Sequence, residues 1–218
     1  MIKELEFVKL AEILYTAVIA DILDELGRRN CACGQGLRPI DPDMKVFGKV
    51  FTILATDVYE IPAEPYKLEI EAVDSVSKGE VVVATTNGSV SNGFWGELLS
   101  TAVKSRGGRG AVIDGLTRDQ KQIIEMGFPT FARGNSPYDS KGRAEVIAYQ
   151  VPIAVGGVRV FPGDLVFADI DGVVFIPQDV QDEVIKRALE KVTGENKVRE
   201  EILNGMSMKE AFSKYGIL

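Results

Sequence analysis

The stretch A-V-I-D-G-L-T-R-D, residues 111–119, decides how the middle of this chain folds. Its first four residues form a short apolar run that predicts a buried strand. Residues 115–117 then predict a turn, and residues 119–126 predict a helix that ends at Gly127. A strand that leads through a turn into a helix is one unit of a layered α/β domain.

The segments on either side predict further helices and strands along the whole chain. Apolar spacing predicts helix over residues 10–26, either unbroken or with a second helix starting at Thr16. Strands are predicted at residues 45–55, 80–85, 128–132 and repeatedly within 145–177, and helices at 69–76, 96–104, from Asp179 and in part of 195–218. This mixture predicts one α/β or β/β/α domain over residues 1–218, with an N-terminal helix and a C-terminal helical tail.

The composition is that of an ordinary globular protein with an acidic surface. The 218 residues are 45% hydrophobic and 26% charged, which suffices for one sizeable core. The net charge of -7 argues against general binding to a nucleic-acid backbone. No apolar run approaches the about 18 residues that a membrane span needs, and the first residues lack a signal-peptide layout. We therefore expect a cytoplasmic protein with no nucleic-acid or membrane partner.

The chain contains no histidine. This excludes Ser-His-Asp and Cys-His catalytic machinery, a histidine general base and every histidine metal ligand. Cys31 and Cys33 form a single C-x-C pair, which alone cannot make a four-ligand zinc site. The glycine-rich residues 107–110 precede a strand rather than follow one, so they do not form a dinucleotide-binding loop. Acid–base chemistry would have to use carboxylates, Lys, Tyr, Cys or metal-bound water.

Arg118 and Asp119 are the first candidate site, because they follow the predicted strand and begin the predicted helix. Ligands of open α/β sheets collect at such positions. Arg118 offers a planar guanidinium suited to a substrate carboxylate, and Asp119 offers a hard oxygen ligand for Mg²⁺ or Mn²⁺. The alternative is structural: an aspartate at a helix start is commonly a cap, and an arginine beside it a surface charge.

The segment N-G-F-W-G-E-L-L, residues 92–99, is the second candidate. Two glycines before a helix allow backbone N–H groups to approach an anionic ligand, and Glu97 is a second carboxylate that could hold metal-bound water. The alternative is a glycine-rich turn followed by a glutamate that is favourable at a helix N-terminus.

Five motifs occur together along this chain. They are A-D-I-L-D-E-L-G (20–27), W-G-E-L-L (95–99), R-G-G-R-G-A-V-I-D-G-L-T-R-D (106–119), F-P-T-F-A-R-G-N-S-P (128–137) and G-V-R-V-F-P-G-D-L-V-F-A-D-I-D-G-V-V-F-I-P (157–177). In this combination the chain resembles the RraA-like family, whose members include the 4-hydroxy-4-methyl-2-oxoglutarate aldolases. The resemblance extends over residues 16–205, which is most of the chain.

The resemblance implies a β/β/α swivelling-domain sandwich that assembles as a homotrimeric ring or a homohexamer, with active clefts between subunits. In aldolase members, Mg²⁺ or Mn²⁺ and an arginine bind a small 2-oxo acid. Carried over by residue, Arg118 matches the substrate-binding arginine and Asp119 matches the direct metal ligand. Glu195 matches a carboxylate that a neighbouring subunit contributes to the metal through water.

The resemblance also assigns the second candidate segment. Gly96, Glu97, Leu98 and Leu99 match the loop whose backbone meets the carboxylate or oxo group of the substrate. Glu97 would in addition take part in catalysis by holding water on the metal. The implied activity is a metal-dependent aldolase that cleaves 4-hydroxy-4-methyl-2-oxoglutarate-type acids to pyruvate, with oxaloacetate decarboxylation as a related reaction.

Two positions depart from the aldolase pattern. Gln122 stands where aldolase members carry an acid after the R-D pair, and regulator members of the family also lack this acid. Glutamine can form hydrogen bonds but carries no charge and is not a base. Residues 65–67, P-Y-K, replace a more acidic or amide-rich run. The alternative function is therefore a non-catalytic RraA-like protein that binds and regulates a ribonuclease.

Overall fold

The structure is a computed structural model, and it describes residues 4–217. Within these residues the α-helices are α1 (Glu4–Ile13), α2 (Thr16–Glu25), α3 (Lys67–Asp74), α4 (Glu97–Ser105), α5 (Gln120–Met126), α6 (Gln181–Leu203) and α7 (Met208–Tyr215). The strands are β1 (Arg38–Pro39), β2 (Val46–Asp57), β3 (Glu80–Thr85), β4 (Gly93–Trp95), β5 (Gly110–Thr117), β6 (Thr130–Asn135), β7 (Ala144–Tyr149), β8 (Ile153–Val155), β9 (Val158–Val160), β10 (Leu165–Asp169) and β11 (Gly172–Ile176). No helix in this part of the chain is long and apolar enough to cross a membrane.

One large mixed sheet organises the molecule. Its strand order is β1-β6-β5-β3-β2-β10-β11. In addition, β4 pairs with the end of β5, and β7 pairs with the C-terminal half of β2. The central strands β6, β5, β3 and β2 run parallel to one another, whereas β1 pairs antiparallel with β6, β10 and β7 pair antiparallel with β2, and β11 pairs antiparallel with β10. The carboxyl ends of β3 and β5 therefore lie at the same end of the barrel. Arg118 and Asp119 follow β5 at that end.

The sheet curls until its two edges are joined. Beside β11, the Phe175 N–H donates to the Cys31 carbonyl (2.8 Å), and the Cys33 N–H donates to the Val173 carbonyl (2.9 Å). The same segment continues into β1, which pairs with β6 at the other edge. The result is a nearly closed barrel, so the sheet of the predicted α/β fold is confirmed but is rounder than a flat sandwich.

Hydrophobic packing fills the barrel and covers it on two sides. Inside, Val112 and Phe131 pack with the β8–β9 hairpin, which closes the interior. Outside, α3, α4 and α5 cover the parallel strands around the fully buried Trp95. On the other side, α1, α2 and α6 pack over Phe47 and Phe167. The helices that carry the candidate site are thus fixed against a rigid sheet.

The N-terminal segment forms two helices rather than one. The break falls at Tyr15, whose backbone is extended, and α2 begins at Thr16. Asp169 at the end of β10 explains the break: its two carboxylate oxygens accept hydrogen bonds from the Thr16 N–H (2.9 Å) and the Thr16 hydroxyl (2.6 Å). The helix start is therefore capped by a residue distant in sequence.

The predicted turn at residues 115–117 is wrong, because β5 continues to Thr117. Leu116 and Thr117 pair with β4 on one side and with β6 on the other. Gly115 is needed for close packing, since a Cβ there would lie 2.8 Å from the Thr86 side chain. The longer strand brings Arg118 to the edge of the sheet rather than into a loop.

Candidate functional site

Arg118 and Asp119 lie between the end of β5 and the start of α5. The Arg118 N–H donates to the Trp95 carbonyl (2.8 Å), which ties this turn to β4. Asp119 has φ 57°, in the left-handed region, where aspartate is tolerated better than most residues. This conformation turns the chain sharply into α5. Both side chains remain about one-third exposed, 33% for Arg118 and 39% for Asp119, and they line the same cleft.

The loop from β4 into α4 forms the opposite wall of the cleft. A Cβ at Gly96 would lie only 2.8 Å from Asp119 Oδ2 and 3.2 Å from Arg118 Cγ, so only glycine allows this approach. The Trp95 indole N–H donates to Ser100 Oγ (2.8 Å), and the Ser100 hydroxyl donates to the Gly96 carbonyl (2.9 Å). These bonds hold the start of α4 in place, and the Glu97 N–H donates to Asp119 Oδ2 (3.2 Å).

The third wall comes from α3 and from the segment between β6 and β7. Asp139 Oδ1 lies 3.2 Å from Arg118 Nη1, and the Tyr66 hydroxyl donates to Asp139 Oδ2. Glu69, on α3, is 8% exposed and also lines the cleft. The cleft has a volume of about 390 Å³. It therefore contains one guanidinium held between two carboxylates, with a buried third carboxyl nearby.

The electrostatics of this wall follow from burial and from the Arg118 charge. Burial and the bond to Asp139 raise the pKa of Tyr66 to about 12. Burial alone would raise the pKa of Asp139, but the Tyr66 hydrogen bond and the Arg118 charge outweigh it and lower that pKa below its usual range. Burial, with the Asp139 charge, raises the pKa of Glu69 to about 7, and Arg118 opposes the increase only in part.

The structure brings most of the sequence-predicted residues together. Gly96, Leu98, Leu99, Arg118 and Asp119 all line the cleft. Leu98 is 76% exposed and lies at the rim of the cleft. These residues form a recess with one polar and one apolar wall, open enough to admit a small organic acid.

Two predicted residues lie elsewhere within the single chain. The Glu97 carboxylate points along α4, where it accepts a hydrogen bond from the Thr101 hydroxyl (2.7 Å), so only its backbone N–H faces Asp119. Glu195 lies on α6 and accepts a hydrogen bond from the Tyr15 hydroxyl, in a separate groove beside α2. Gln122, the departure from the aldolase pattern, is exposed on α5 and is not among the residues that line the cleft.

Three ionisable residues of the cleft were not predicted as site residues: Tyr66, Glu69 and Asp139. Tyr66 lies in the P-Y-K run that departs from the family pattern, and its φ of 64° marks an unusual turn before α3. Asp139 follows the F-P-T-F-A-R-G-N-S-P motif by two residues. Glu69 lies one helical turn before the buried Ala72 and Val73, so it occupies a core-facing position of α3. An acidic residue at a core-facing position is unusual, and this is the signal in the sequence that could have identified it.

Few side chains of the cleft are placed to bind a divalent cation. Among the described residues, no group of three or more His, Cys, Asp or Glu side chains is placed to hold a metal ion. Asp119 is the carboxylate that fits best, since it is partly exposed and the missing Cβ of Gly96 leaves space beside its Oδ2. Mg²⁺ typically binds through only one or two protein carboxylates and completes its shell with water and substrate. The residues therefore fit such an ion.

The family model described as RraA-like (Aldolase/RraA) matches residues 16–175, about three-quarters of the chain. This chain belongs to the RraA-like family. The matched region includes β5, α4 and the Arg118–Asp119 pair, so the cleft is built within the family's shared core.

Three relatives illustrate the range of the RraA-like family. The chain is 28% identical over 92% of its length to Protein DlpA of Legionella pneumophila, but spans only 32% of that protein. It is 28% identical to a Halalkalibacterium halodurans protein named "Putative 4-hydroxy-4-methyl-2-oxoglutarate aldolase", over 86% of this chain and 84% of that one. The crystal structure of Streptomyces coelicolor RraAS2, described as an unusual member of the RNase ES inhibitor RraA protein family, matches with a TM-score of 0.78 and 32% identity, covering 89% and 96% of the two chains.

Proposed function

We propose that this RraA-like protein is a divalent-cation-dependent carbon–carbon lyase that cleaves 2-oxo acids and releases pyruvate. The substrates would be acids of the 4-hydroxy-4-methyl-2-oxoglutarate type, and oxaloacetate in a related decarboxylation. The observation that carries the proposal is the shared cleft of Arg118 and Asp119, with the Gly96 backbone close against both. An anion-binding group and a cation-binding group side by side are suited to a 2-oxo carboxylate.

Arg118 would bind the substrate carboxylate through its forked guanidinium. Asp139 orients Arg118 from one side, at 3.2 Å, and the Tyr66 hydroxyl in turn holds Asp139. Because Arg118 is preorganised, it would stabilise the charge that develops on the pyruvate enolate when the carbon–carbon bond breaks. The backbone N–H groups at the start of α4 would face the same anionic end of the substrate.

Asp119 would hold the cation, Mg²⁺ or Mn²⁺, at the edge of the cleft. When bound, such a cation polarises the 2-oxo group and stabilises negative charge on it. The Glu97 N–H orients the Asp119 carboxylate for this role. Because Gly96 has no Cβ, the carboxylate can lie close to the start of α4. Phe94 and Leu99 form the apolar side of the cleft, against which the carbon skeleton of the substrate would pack.

The proposal extends to assembly. The family forms oligomers, and we propose a homotrimeric ring or a homohexamer in which a neighbouring subunit completes each cleft. Glu195 would then act in the neighbour's cleft, holding the cation through water. Within its own chain Glu195 lies beside Tyr15 on the far helical layer, which is consistent with a role outside its own cleft.

The alternative is a regulator that binds a ribonuclease without catalysis, supported by the likeness to RraAS2. The loss of the acid at Gln122 is weak support for it, because Gln122 is exposed and outside the cleft.

Pyruvate release distinguishes the two functions. The purified protein is incubated with 4-hydroxy-4-methyl-2-oxoglutarate and with oxaloacetate, with Mg²⁺ or Mn²⁺ and with EDTA, and pyruvate is measured with lactate dehydrogenase. We expect cation-dependent release above the protein-free rate by the wild type, and release no faster than the protein-free rate by Asp119→Asn. Release that persists in EDTA would contradict the cation dependence, and absence of release together with retention of a ribonuclease in pull-down would favour the regulator.

A further inference from the structure

Glu69 differs from the other buried carboxyls of this protein. Asp114, Asp164 and Asp169 are all buried, and each accepts hydrogen bonds from at least two groups. Glu69 is buried to a similar degree, at 8% exposure, yet among the described residues no hydrogen bond or ion pair to its carboxyl is found, and its oxygens are not fully enclosed because the residue lines the cleft. A mostly buried carboxyl that has no partner and lines a cleft is placed to act on a molecule bound there.

The surroundings of Glu69 favour the protonated acid. From the neighbouring loops, Asp139 repels its charged form and Arg118 attracts it, while the Tyr66 hydroxyl is engaged by Asp139. Lys141 and Glu145, from the segment that leads into β7 and from β7 itself, border a small gap that Glu69 also lines. Burial dominates this balance and raises the pKa of Glu69 to about 7, so a large fraction of molecules carries a Glu69 proton at neutral pH.

The other polar groups of the cleft are less suited to donate a proton. Asp139 has a lowered pKa and is therefore ionised, and the Tyr66 proton is shared with it. Asp119 is the proposed cation ligand. A pyruvate enolate bound at Arg118 needs a proton on carbon before it can leave as pyruvate, and general acids with a pKa near the working pH deliver protons best.

We propose that Glu69 is the general acid that protonates carbon 3 of the pyruvate enolate. This inference rests on the proposed lyase function. In the step, the Glu69 O–H bond breaks, the electron pair of the enolate double bond forms the new C3–H bond, and the 2-oxo group is restored. The Glu69 carboxylate that remains regains a proton from water before the next turnover.

Exchange of the pyruvate methyl protons tests this step without the cleavage reaction. Wild-type protein is incubated with pyruvate and Mg²⁺ in deuterium oxide, and deuterium entering the methyl group is followed by NMR. We expect Glu69→Gln to slow exchange by about 10²-fold or more, the range for loss of a general acid or base. Glu71→Gln, an exposed acid on the same helix, is the matched control and should exchange like the wild type.

Two further measurements separate catalysis from folding. Oxalate, a planar mimic of the enolate, should bind Glu69→Gln in the presence of Mg²⁺ about as well as it binds the wild type, since the amide keeps the shape of the cleft. Glu69→Asp, which keeps an acid on a shorter arm, should recover part of the exchange. Loss of exchange together with loss of oxalate binding in both variants would overturn the proposal in favour of a structural role.

The outcomes also separate this inference from the proposed function. If the wild type neither exchanges pyruvate protons nor cleaves any 2-oxo acid, then the lyase function itself fails. If the wild type is active and Glu69→Gln exchanges within about threefold of it, then the lyase function stands and the role of Glu69 as general acid is overturned.

Discussion

Two arginine–aspartate pairs include residues on β5 or directly after it, and they differ in how their carboxylates are buried and bonded. In the barrel, Asp114 of β5 pairs with Arg133 of β6. At the cleft, Arg118 lies between Asp119 and Asp139. The two arginine side chains are equally exposed, 33% each, so the arginine does not distinguish the pairs. The carboxylates do: Asp114 is 9% exposed, whereas Asp119 is 39% exposed.

The partners of the carboxylates explain the difference. Both oxygens of Asp114 are used, one by Arg133 and the other by the Gly156 N–H at 2.7 Å. Among residues 4–217, the Asp119 carboxylate accepts a single long hydrogen bond, from the Glu97 N–H at 3.2 Å, and Arg118 Nε lies 3.5 Å away. In the first pair both carboxylate oxygens are engaged and the carboxylate is buried, which suits a stabilising role in the barrel. The second has unused capacity that faces a cavity, and such capacity is available to a ligand.

The largest expected effect comes from removing the guanidinium of the Arg118–Asp119 pair in the cleft. Arg118→Ala should lower kcat/KM for pyruvate release by about 10²–10³-fold, the usual cost of removing a preorganised charge-stabilising donor. The melting temperature should stay close to the wild-type value, because the side chain is partly solvated. Lys121→Ala is the control, since it removes a cation three residues away that is 83% exposed. Equal activity of Arg118→Ala and the control would remove Arg118 from the site.

Substitution in the Asp114–Arg133 pair of the barrel should lower stability, whereas substitution in the cleft should lower activity. Asp114→Asn leaves Arg133 without its buried counter-charge and should lower the free energy of unfolding by about 3 kcal/mol. For a chain of this size, that corresponds to a fall of about 6–12 °C in melting temperature. Asp119→Asn should change stability by less than about 1 kcal/mol, as expected for an exposed ion pair, while abolishing cation-dependent turnover. Thermal unfolding of both variants measures the contrast, and a reversed order would show that Asp119 is the structural residue.

Glu69 extends the comparison to a buried carboxyl without the partners of Asp114. Its pKa in the folded protein is about 7, above the ordinary value of 4.5, so between these values the native state binds more protons than the unfolded state. The contribution of Glu69 to stability is therefore greatest at low pH and is lost as pH rises toward 7. Urea unfolding of wild type and Glu69→Gln at about pH 5 and pH 8 should show that the variant gains stability relative to the wild type at the higher pH. A constant difference between the two proteins would contradict the raised pKa.

A smaller effect is expected when a methyl group is added at Gly96, next to Arg118 and Asp119. In Gly96→Ala the new Cβ would meet Asp119 Oδ2 at 2.8 Å and displace it. We expect kcat/KM to fall by about tenfold, because small misplacements of catalytic groups are costly. Gly194→Ala on α6 is the control, since its Cβ would meet only the end of the Ile217 side chain. Unchanged turnover in Gly96→Ala would show that the position of Asp119 is not critical.

The sequence predicted the local elements better than their long-range connections. The strand at Glu80–Thr85 and the helix at Glu97–Ser105 follow from apolar patterning within one segment. The two-helix N-terminus depends on Asp169, more than 150 residues away, and the closure of the barrel depends on the segment around Cys31. Patterns of neighbouring residues carry no information on such contacts.

The same limit applies to the cleft. Arg118, Asp119 and Gly96 could be predicted because they lie in contiguous motifs near a helix start. Tyr66 and Asp139 could not, because their significance arises only when α3 and the segment before β7 fold against Arg118. The Glu97 carboxylate shows the converse, since its segment borders the cleft but the side chain turns toward Thr101.

The most direct test of the account is whether the cleft binds an organic acid and a cation together. Calorimetric titration of oxalate into the protein, with and without Mg²⁺, measures this coupling in the wild type and in Asp119→Asn. We predict that Mg²⁺ tightens oxalate binding to the wild type and that Asp119→Asn abolishes the increase, while Arg118→Ala weakens binding under both conditions. Oxalate binding that is indifferent to Mg²⁺, or that both variants retain in full, would contradict the account.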